Sequence, residues 1–154
     1  MAEASDYFAL LNLMHRYCEL IDAGDYDGIG MLFAHADVYG SDPDVPVVRA
    51  GTDNYGDVFR AWTRLYPETG TPRTRHVCTN HIIDFDDDSH ARARASYTVF
   101  QQTPELPLQP IIIGYYWYRF GKVGGAWAFT ERREQVSLAG DLSAHLLQQL
   151  EMPA

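Results

Sequence analysis

The sequence predicts an α+β fold: a strongly curved, mostly antiparallel sheet with N-terminal helices on its concave face. Two observations carry this. Apolar residues recur at three- and four-residue spacing up to Leu65, and from residue 73 the period shortens to two. The strand-like half is also an unbroken meander joined by turn residues, the pattern of antiparallel hairpins rather than of helix-linked parallel strands. With 154 residues, 46% of them hydrophobic and 21% charged, the chain has material for one core, so a single domain over residues 1–154 is expected.

Taken in order, residues 6 to 23 form the clearest helix. Tyr7, Leu10, Leu11, Met14, Tyr17, Cys18 and Ile21 make one apolar stripe, with Ser5 as the expected N-cap and Gly24 as the stop. A short second helix spans Asp25 to Phe33, and Asp37 to Gly40 reads as a strand. Pro43 and Pro46 mark Ser41 to Arg49 as loop. Thr52 is the expected N-cap of a third helix that carries Tyr55, Val58, Phe59, Trp62 and Leu65 and ends at Pro67. Strands are expected at His76 to Phe85 and at Ala91 to Gln101, with Asp86 to Ser89 as an acidic turn. Ala91, Ala93, Ala95, Tyr97 and Val99 alternate with Arg92, Arg94, Ser96 and Thr98, which assigns an inner and an outer face. Ile111 to Phe120 is apolar on both faces, Gly121 to Gly125 turns the chain, and Trp127 to Val136 returns antiparallel. Leu142, Leu146 and Leu150 predict a closing amphipathic helix from Leu138 to Leu150.

Charge and cysteine content exclude several functions. The net charge of −9, with few and scattered Lys and Arg, argues against nucleic acid and against an anionic membrane surface as partners. No apolar run reaches the roughly 20 residues of a membrane span, and the first residues lack the order of a signal peptide, so a cytoplasmic protein is expected. Two cysteines, Cys18 and Cys78, give neither a disulfide framework nor metal spacing. The apolar strand Ile111 to Phe120 predicts a homodimer or homotrimer.

There is no phosphate loop and no nucleophile elbow, and no His-x-x-x-His metal pair. What remains is acid–base chemistry by histidine and carboxylate. His76 shares a strand face with Cys78, Asn80 and Ile82, and alternation points His81 the other way. Asp22 sits in the last turn of the first helix, where the negative end of the helix dipole disfavours a carboxylate by about 0.3–1 kcal/mol. A solvated turn aspartate and a packed core histidine are the structural alternatives for these two residues.

The helix end Arg16-Tyr17-Cys18-Glu19-Leu20-Ile21-Asp22-Ala23-Gly24-Asp25, the strand Arg75-His76-x-x-Thr79-Asn80 and the hairpin strand Trp127 to Arg132 together resemble the SnoaL-like proteins of the NTF2-like superfamily. The resemblance runs over about residues 6 to 147 and implies a cone-shaped, cystatin-like α+β barrel around a pocket that serves many reactions. It implies an Asp–His dyad of Asp22 and His76, as in the dehydratase and dehydrochlorinase members, and a pocket tyrosine at Tyr39. The second pocket histidine of scytalone dehydratase would fall near Phe100 or Gln101 and its asparagine near Gly114, and the lysine of the dehydrochlorinase helix has no counterpart here. The implied activity is a cofactor-independent lyase or isomerase of dehydratase type. His76 would abstract a carbon-bound proton from a small hydrophobic cyclic, polyketide- or steroid-like substrate, with Tyr39, Asn80, Tyr97 and Tyr116 in contact with it. No metal is expected. The alternatives are a ketosteroid-isomerase-like isomerase, a polyketide cyclase, or a non-catalytic binding or scaffold protein.

Overall fold

The structure, a computed structural model, describes residues 4–149. Its elements are α1 (Ala4–Ala23), α2 (Tyr26–Leu32), β1 (Asp37–Tyr39), β2 (Pro46–Val48), α3 (Tyr55–Trp62), β3 (Thr74–Phe85), β4 (His90–Gln101), β5 (Gln109–Val123) and β6 (Ala126–Ala139). The strands form one sheet in the order β2-β1-β6-β5-β4-β3; β1 runs parallel to β6 and every other pair is antiparallel. The expected α+β class and curved, mostly antiparallel sheet are what the chain forms.

The helices cover the inner face through the stripe already visible in the sequence. Leu10, Met14, Tyr17, Cys18 and Ile21 of α1 are buried, and so is Asp22. From the sheet, Ala91, Ala93, Ala95, Tyr97 and Val99 of β4 and Tyr116, Tyr118 and Phe120 of β5 meet them. Small alanines opposite large aromatics fill the concavity without overlap. Gly24 stops α1 with φ +72°, its N–H returning to the Ile21 carbonyl at 3.0 Å. Asp25 then caps α2 by accepting from the Gly28 N–H at 2.8 Å. None of the helices among the described residues is long and apolar enough to cross a membrane.

Several expectations need correction. Ser5 lies inside α1 and does not cap it. The 41–49 loop contains β2, which opens on Pro46 at the sheet edge, where a missing N–H costs no ladder bond. The N-cap of α3 is Asn54, whose side chain accepts from the Gly56 N–H at 2.9 Å; the Thr52 hydroxyl is turned back to the Arg49 carbonyl at 3.2 Å. The helix ends at Trp62, because Thr63 is extended and Arg64 donates to the His145 carbonyl. The closing helix does not form either. Leu138 and Ala139 extend β6, paired with Ile113 and Ile112, and after Gly140 a single turn at Leu142–Leu146 leads into a bridge between Leu146 and Thr63. Strand pairing takes Leu138, the first residue of the expected helix, and Leu150 lies outside the described residues.

The last correction concerns β3. Pairing of β3 with β4 slips between Thr79 and Ile82, where Thr79 faces Ser96 and Ile82 faces Arg94, so β3 carries one extra residue. Asn80 sits in this bulge with φ +56°. The inner face therefore runs Thr74, His76, Cys78 and then His81, while Asn80 and Ile82 are exposed. His76 and His81 share a side after all. Along it α1 and β3 meet in three rungs: Asp22 with His76, Cys18 beside Cys78, and His15 with His81 at a ring separation of 5.0 Å.

Candidate active site

Asp22 and His76 come together because α1 lays its last turn over the start of β3. Three donors converge on the Asp22 carboxylate. The Thr74 hydroxyl and the His76 ring Nδ1 reach Oδ1 at 2.9 and 2.7 Å, and the His76 backbone N–H reaches Oδ2 at 2.8 Å. A carboxylate oxygen can only accept, so Nδ1 carries a proton, and in the neutral tautomer that this bond selects the lone pair is on Nε2. The awkward helix-end position of Asp22 thus has its compensation in hydrogen bonds from β3. The side chains of His76 and Asp22 are only 4% and 5% exposed.

Next to the dyad lies a buried cation among aromatic rings. Tyr17 packs edge-on to His76 at 6.2 Å and to Tyr116 at 5.9 Å. Arg132 is fully buried; it donates to the Tyr55 hydroxyl, to Tyr17 Oη at 3.1 Å and to Glu134 Oε2 at 3.1 Å. Its guanidinium lies over the rings of Tyr17 and Tyr116 at 4.5 and 4.6 Å. Burial alone would lower the Arg132 pKa, but Tyr17, Tyr55 and Glu134 outweigh it and the group stays charged. Burial in turn raises the phenols, Tyr55 to about 12 despite Arg132, so they act as neutral hydrogen-bonding groups. Tyr118 Oη and Arg132 Nε have no aligned partner among the described residues.

Of the other expected contact residues, Tyr97 and Tyr116 are on the inner face and stack at 4.0 Å with ring planes 4° apart. Gly114, opposite Tyr97, makes room: a Cβ there would lie 2.9 Å from the Tyr97 ring. The Tyr97 hydroxyl is engaged, donating to Glu134 Oε1 at 2.5 Å. Asn80 and Tyr39 are not brought to the dyad. Asn80 is turned out by the bulge, and Tyr39 alternates with buried Val38 and stacks its ring against Arg133 at 3.9 Å.

Sequence reasoning missed Thr74, Tyr17, Arg132, Glu134 and His145 as members of this region. Thr74 was two residues from His76 and so readable by alternation. Arg132 stood in the resemblance, between the charged residues Glu131 and Arg133. His145 belongs to the segment misread as a helix; it is 5% exposed, and its backbone is tied to Arg64 and Leu142. Burial lowers its pKa from the ordinary 6.5 to about 4, with His76 adding to the shift and Asp22 opposing it. The sign follows for stability. Between these two values the unfolded chain binds the proton and the folded chain does not, so stability falls as the pH drops from 6.5 towards 4 and levels off below. The loss is at most about 3 kcal/mol. Urea midpoints at pH 7 and pH 4.5 should differ in the wild type and differ less in His145→Gln.

Two surface hollows lie away from the dyad, one between Arg92, Arg94, Trp117 and Arg133 on the outer sheet face and one between α2 and the turn before α3. Among the described residues no three His, Cys, Asp or Glu side chains are grouped to hold a metal ion.

A family model for the SnoaL-like domain matches residues 2–133. No curated protein matches the sequence. Among solved structures, a putative scytalone dehydratase from Novosphingobium aromaticivorans is 23% identical, with a TM-score of 0.67 over 89% of this chain and 87% of that one. A protein of unknown function with a cystatin-like fold from Nostoc punctiforme is 18% identical, with a TM-score of 0.69 over 88% and 94%. LinA is 12% identical, with a TM-score of 0.65 over 87% of each chain. At these identities the structures speak for the fold. The family model spans most of the sequence, and the chain belongs to the SnoaL-like domain family.

Proposed function

We propose that this protein is a cofactor-independent lyase of dehydratase type, with Asp22 and His76 as its acid–base dyad. The observation that carries the reading is the convergence of three donors on Asp22, which ties up Nδ1 of His76 and leaves Nε2 as the ring nitrogen not bound to the carboxylate. In this reading Nε2 takes a proton from a carbon next to a carbonyl. The C–H electron pair forms the new double bond, the β-hydroxyl departs with its C–O pair, and the imidazolium returns the proton so that water leaves. The net reaction consumes no proton and no electron. Asp22 supports the transient imidazolium, which a buried site would otherwise disfavour. The aromatic inner face formed by Tyr17, Tyr97 and Tyr116 suits a small cyclic, polyketide- or steroid-like substrate. The dehydratase names of structural neighbours, including a putative NTF2-like dehydratase from Streptomyces avermitilis, agree with this class.

Exchange of α-protons of α-tetralone in D2O, followed by proton NMR, isolates the first step. Wild-type protein is expected to catalyse it, and His76→Ala to lose at least ~10²-fold. His76→Ala should fold, because Thr74 and the backbone N–H of residue 76 still satisfy Asp22. Equal rates in the two proteins would remove the dyad. A second reading, a non-catalytic binding or scaffold protein, is favoured by the low exposure of both dyad side chains. It predicts ligand binding without exchange.

The same proposal includes self-association through the outer face of β5, where Tyr115 and Trp117 are 46% and 38% exposed and lie 5.9 Å apart. Trp117→Glu should shift the species seen by light scattering from dimer or trimer towards monomer; an unchanged mass would count against this face.

A further inference from the structure

His145 is a buried titratable side chain that the reading above leaves without work. Its Nδ1 has no hydrogen-bond partner among the described residues. Leaving a buried polar atom unpaired is costly, so such an atom calls for an explanation. Looseness of the segment is not that explanation, because the backbone around it is pinned on several sides. Arg64 donates to the His145 carbonyl at 2.8 Å, and Leu147 donates to the Trp62 carbonyl at 2.8 Å. The Ala144 carbonyl accepts from the Tyr66 hydroxyl at 2.6 Å and from Gln101 Nε2 at 3.2 Å. Gln101 pairs directly with Thr74, whose hydroxyl sits on Asp22. The segment after β6 is therefore fastened over the end of β3 and β4 that carries Asp22 and His76, and the low pKa of His145 comes first from burial, with His76 adding to it and Asp22 opposing it.

We propose that His145 is a substrate-contacting residue of the same site, whose unpartnered Nδ1 hydrogen-bonds the carbonyl oxygen next to the carbon that His76 deprotonates. The inference rests on the Asp22–His76 reading and narrows its substrate to a compound with such an oxygen. The two imidazoles have opposite surroundings. His76 has a carboxylate on its far nitrogen and can become a cation; His145 is desolvated with no carboxylate bound to it and stays neutral. That division suits proton abstraction from carbon. Negative charge moves onto the carbonyl oxygen as His76 gains its proton, and a neutral donor placed there stabilises the charge without repelling the new imidazolium. A hydrocarbon or alkyl halide would leave Nδ1 unpaired and be disfavoured for that reason.

The test compares wild type, His145→Phe, His145→Gln and His76→Ala in α-tetralone exchange, with melting temperatures measured alongside. His145→Phe fills the volume without a donor and should lower kcat/KM about 10²-fold, the effect of losing one oxyanion donor. His145→Gln offers an amide N–H at similar reach and should recover at least about tenfold of that loss, a rescue that packing alone would not give. Exchange that needs His76 but is unchanged in His145→Phe overturns this inference and leaves the dyad standing. Loss in both His145 variants with equal falls in melting temperature also overturns it, since the role is then structural. Wild-type exchange no faster than His76→Ala removes the dyad, and this inference with it.

Discussion

An Asp22→Asn variant is expected to exchange α-protons ~10²–10⁴-fold more slowly than wild type while remaining folded. The reason is a question of donors. Asp22 receives two donors at Oδ1 and one at Oδ2. If the asparagine oxygen takes the place of Oδ1, its NH2 faces the His76 backbone N–H, donor against donor, at a cost of about 1–3 kcal/mol. If the amide flips, its oxygen accepts from that N–H and its NH2 meets Thr74 and His76 Nδ1. The threonine hydroxyl can rotate to accept, and Nδ1 can accept only by giving up its proton. The flipped form keeps all three contacts and wins. It moves the imidazole proton to Nε2, so the ring presents a donor where the base was. Nitrogen-15 NMR of the imidazole reports this tautomer directly, and exchange kinetics report its consequence. Retention of wild-type exchange would show that the Asp22 contact is structural.

The resolution of the fold into helices and strands was legible because it depends on periodicity, which is local. The inner alternation of β4 needed only the sequence from Ala91 to Val99, and each of those inner positions is buried as alternation requires. Capping by Asn54, not Thr52, was decided by where the chain turns, and both residues are acceptable caps. The bulge at Asn80 was beyond reach for a different reason. It exists only in relation to β4, since an extra residue is defined by its partner strand. A slip of one position reverses every side chain after it, which is how Asn80 left the site and His81 joined the inner face.

The hydrogen-bonded pair of Asp22 and His76 could be named because family resemblance linked positions 22 and 76, whereas composition and spacing left both with ordinary structural explanations. The surrounding shell was harder. Arg132 pairs with Tyr118 in register, and its neighbours Glu131 and Arg133 bond to each other on the opposite side, so three adjacent charged residues serve two environments. Charge is normally a mark of solvent, and here it belongs to a cation held by phenols and Glu134. His145 depended on a segment that lies in no strand or helix. Its position is set by hydrogen bonds to Arg64, Tyr66 and Gln101, contacts that no periodic pattern encodes.

Arg132→Met is expected to lower stability by about 3–5 kcal/mol, the range for removing one partner of a buried ion pair. The lower end is favoured, because the Glu134 side chain is 33% exposed and water can take over part of its solvation. Methionine fills much of the volume, so the loss comes chiefly from polar groups. Tyr17 and Tyr55 lose a charged donor while buried, and Glu134 keeps only the Tyr97 hydroxyl as its hydrogen-bonded partner in this cluster. For a chain of this length the melting temperature should fall by roughly 10 °C. Adding Glu134→Gln separates the contributions. If the orphaned carboxylate is the main penalty, Arg132→Met/Glu134→Gln melts above Arg132→Met alone, a coupling that a double-mutant cycle measures. If packing of the guanidinium between Tyr17 and Tyr116 dominates, the second substitution adds its own loss. Arg132→Met within about 2 °C of wild type would mean that the cluster contributes little to stability. The ring of Tyr17 joins this cluster to His76, so the same variant should also loosen the dyad, seen as slower α-proton exchange below its melting transition.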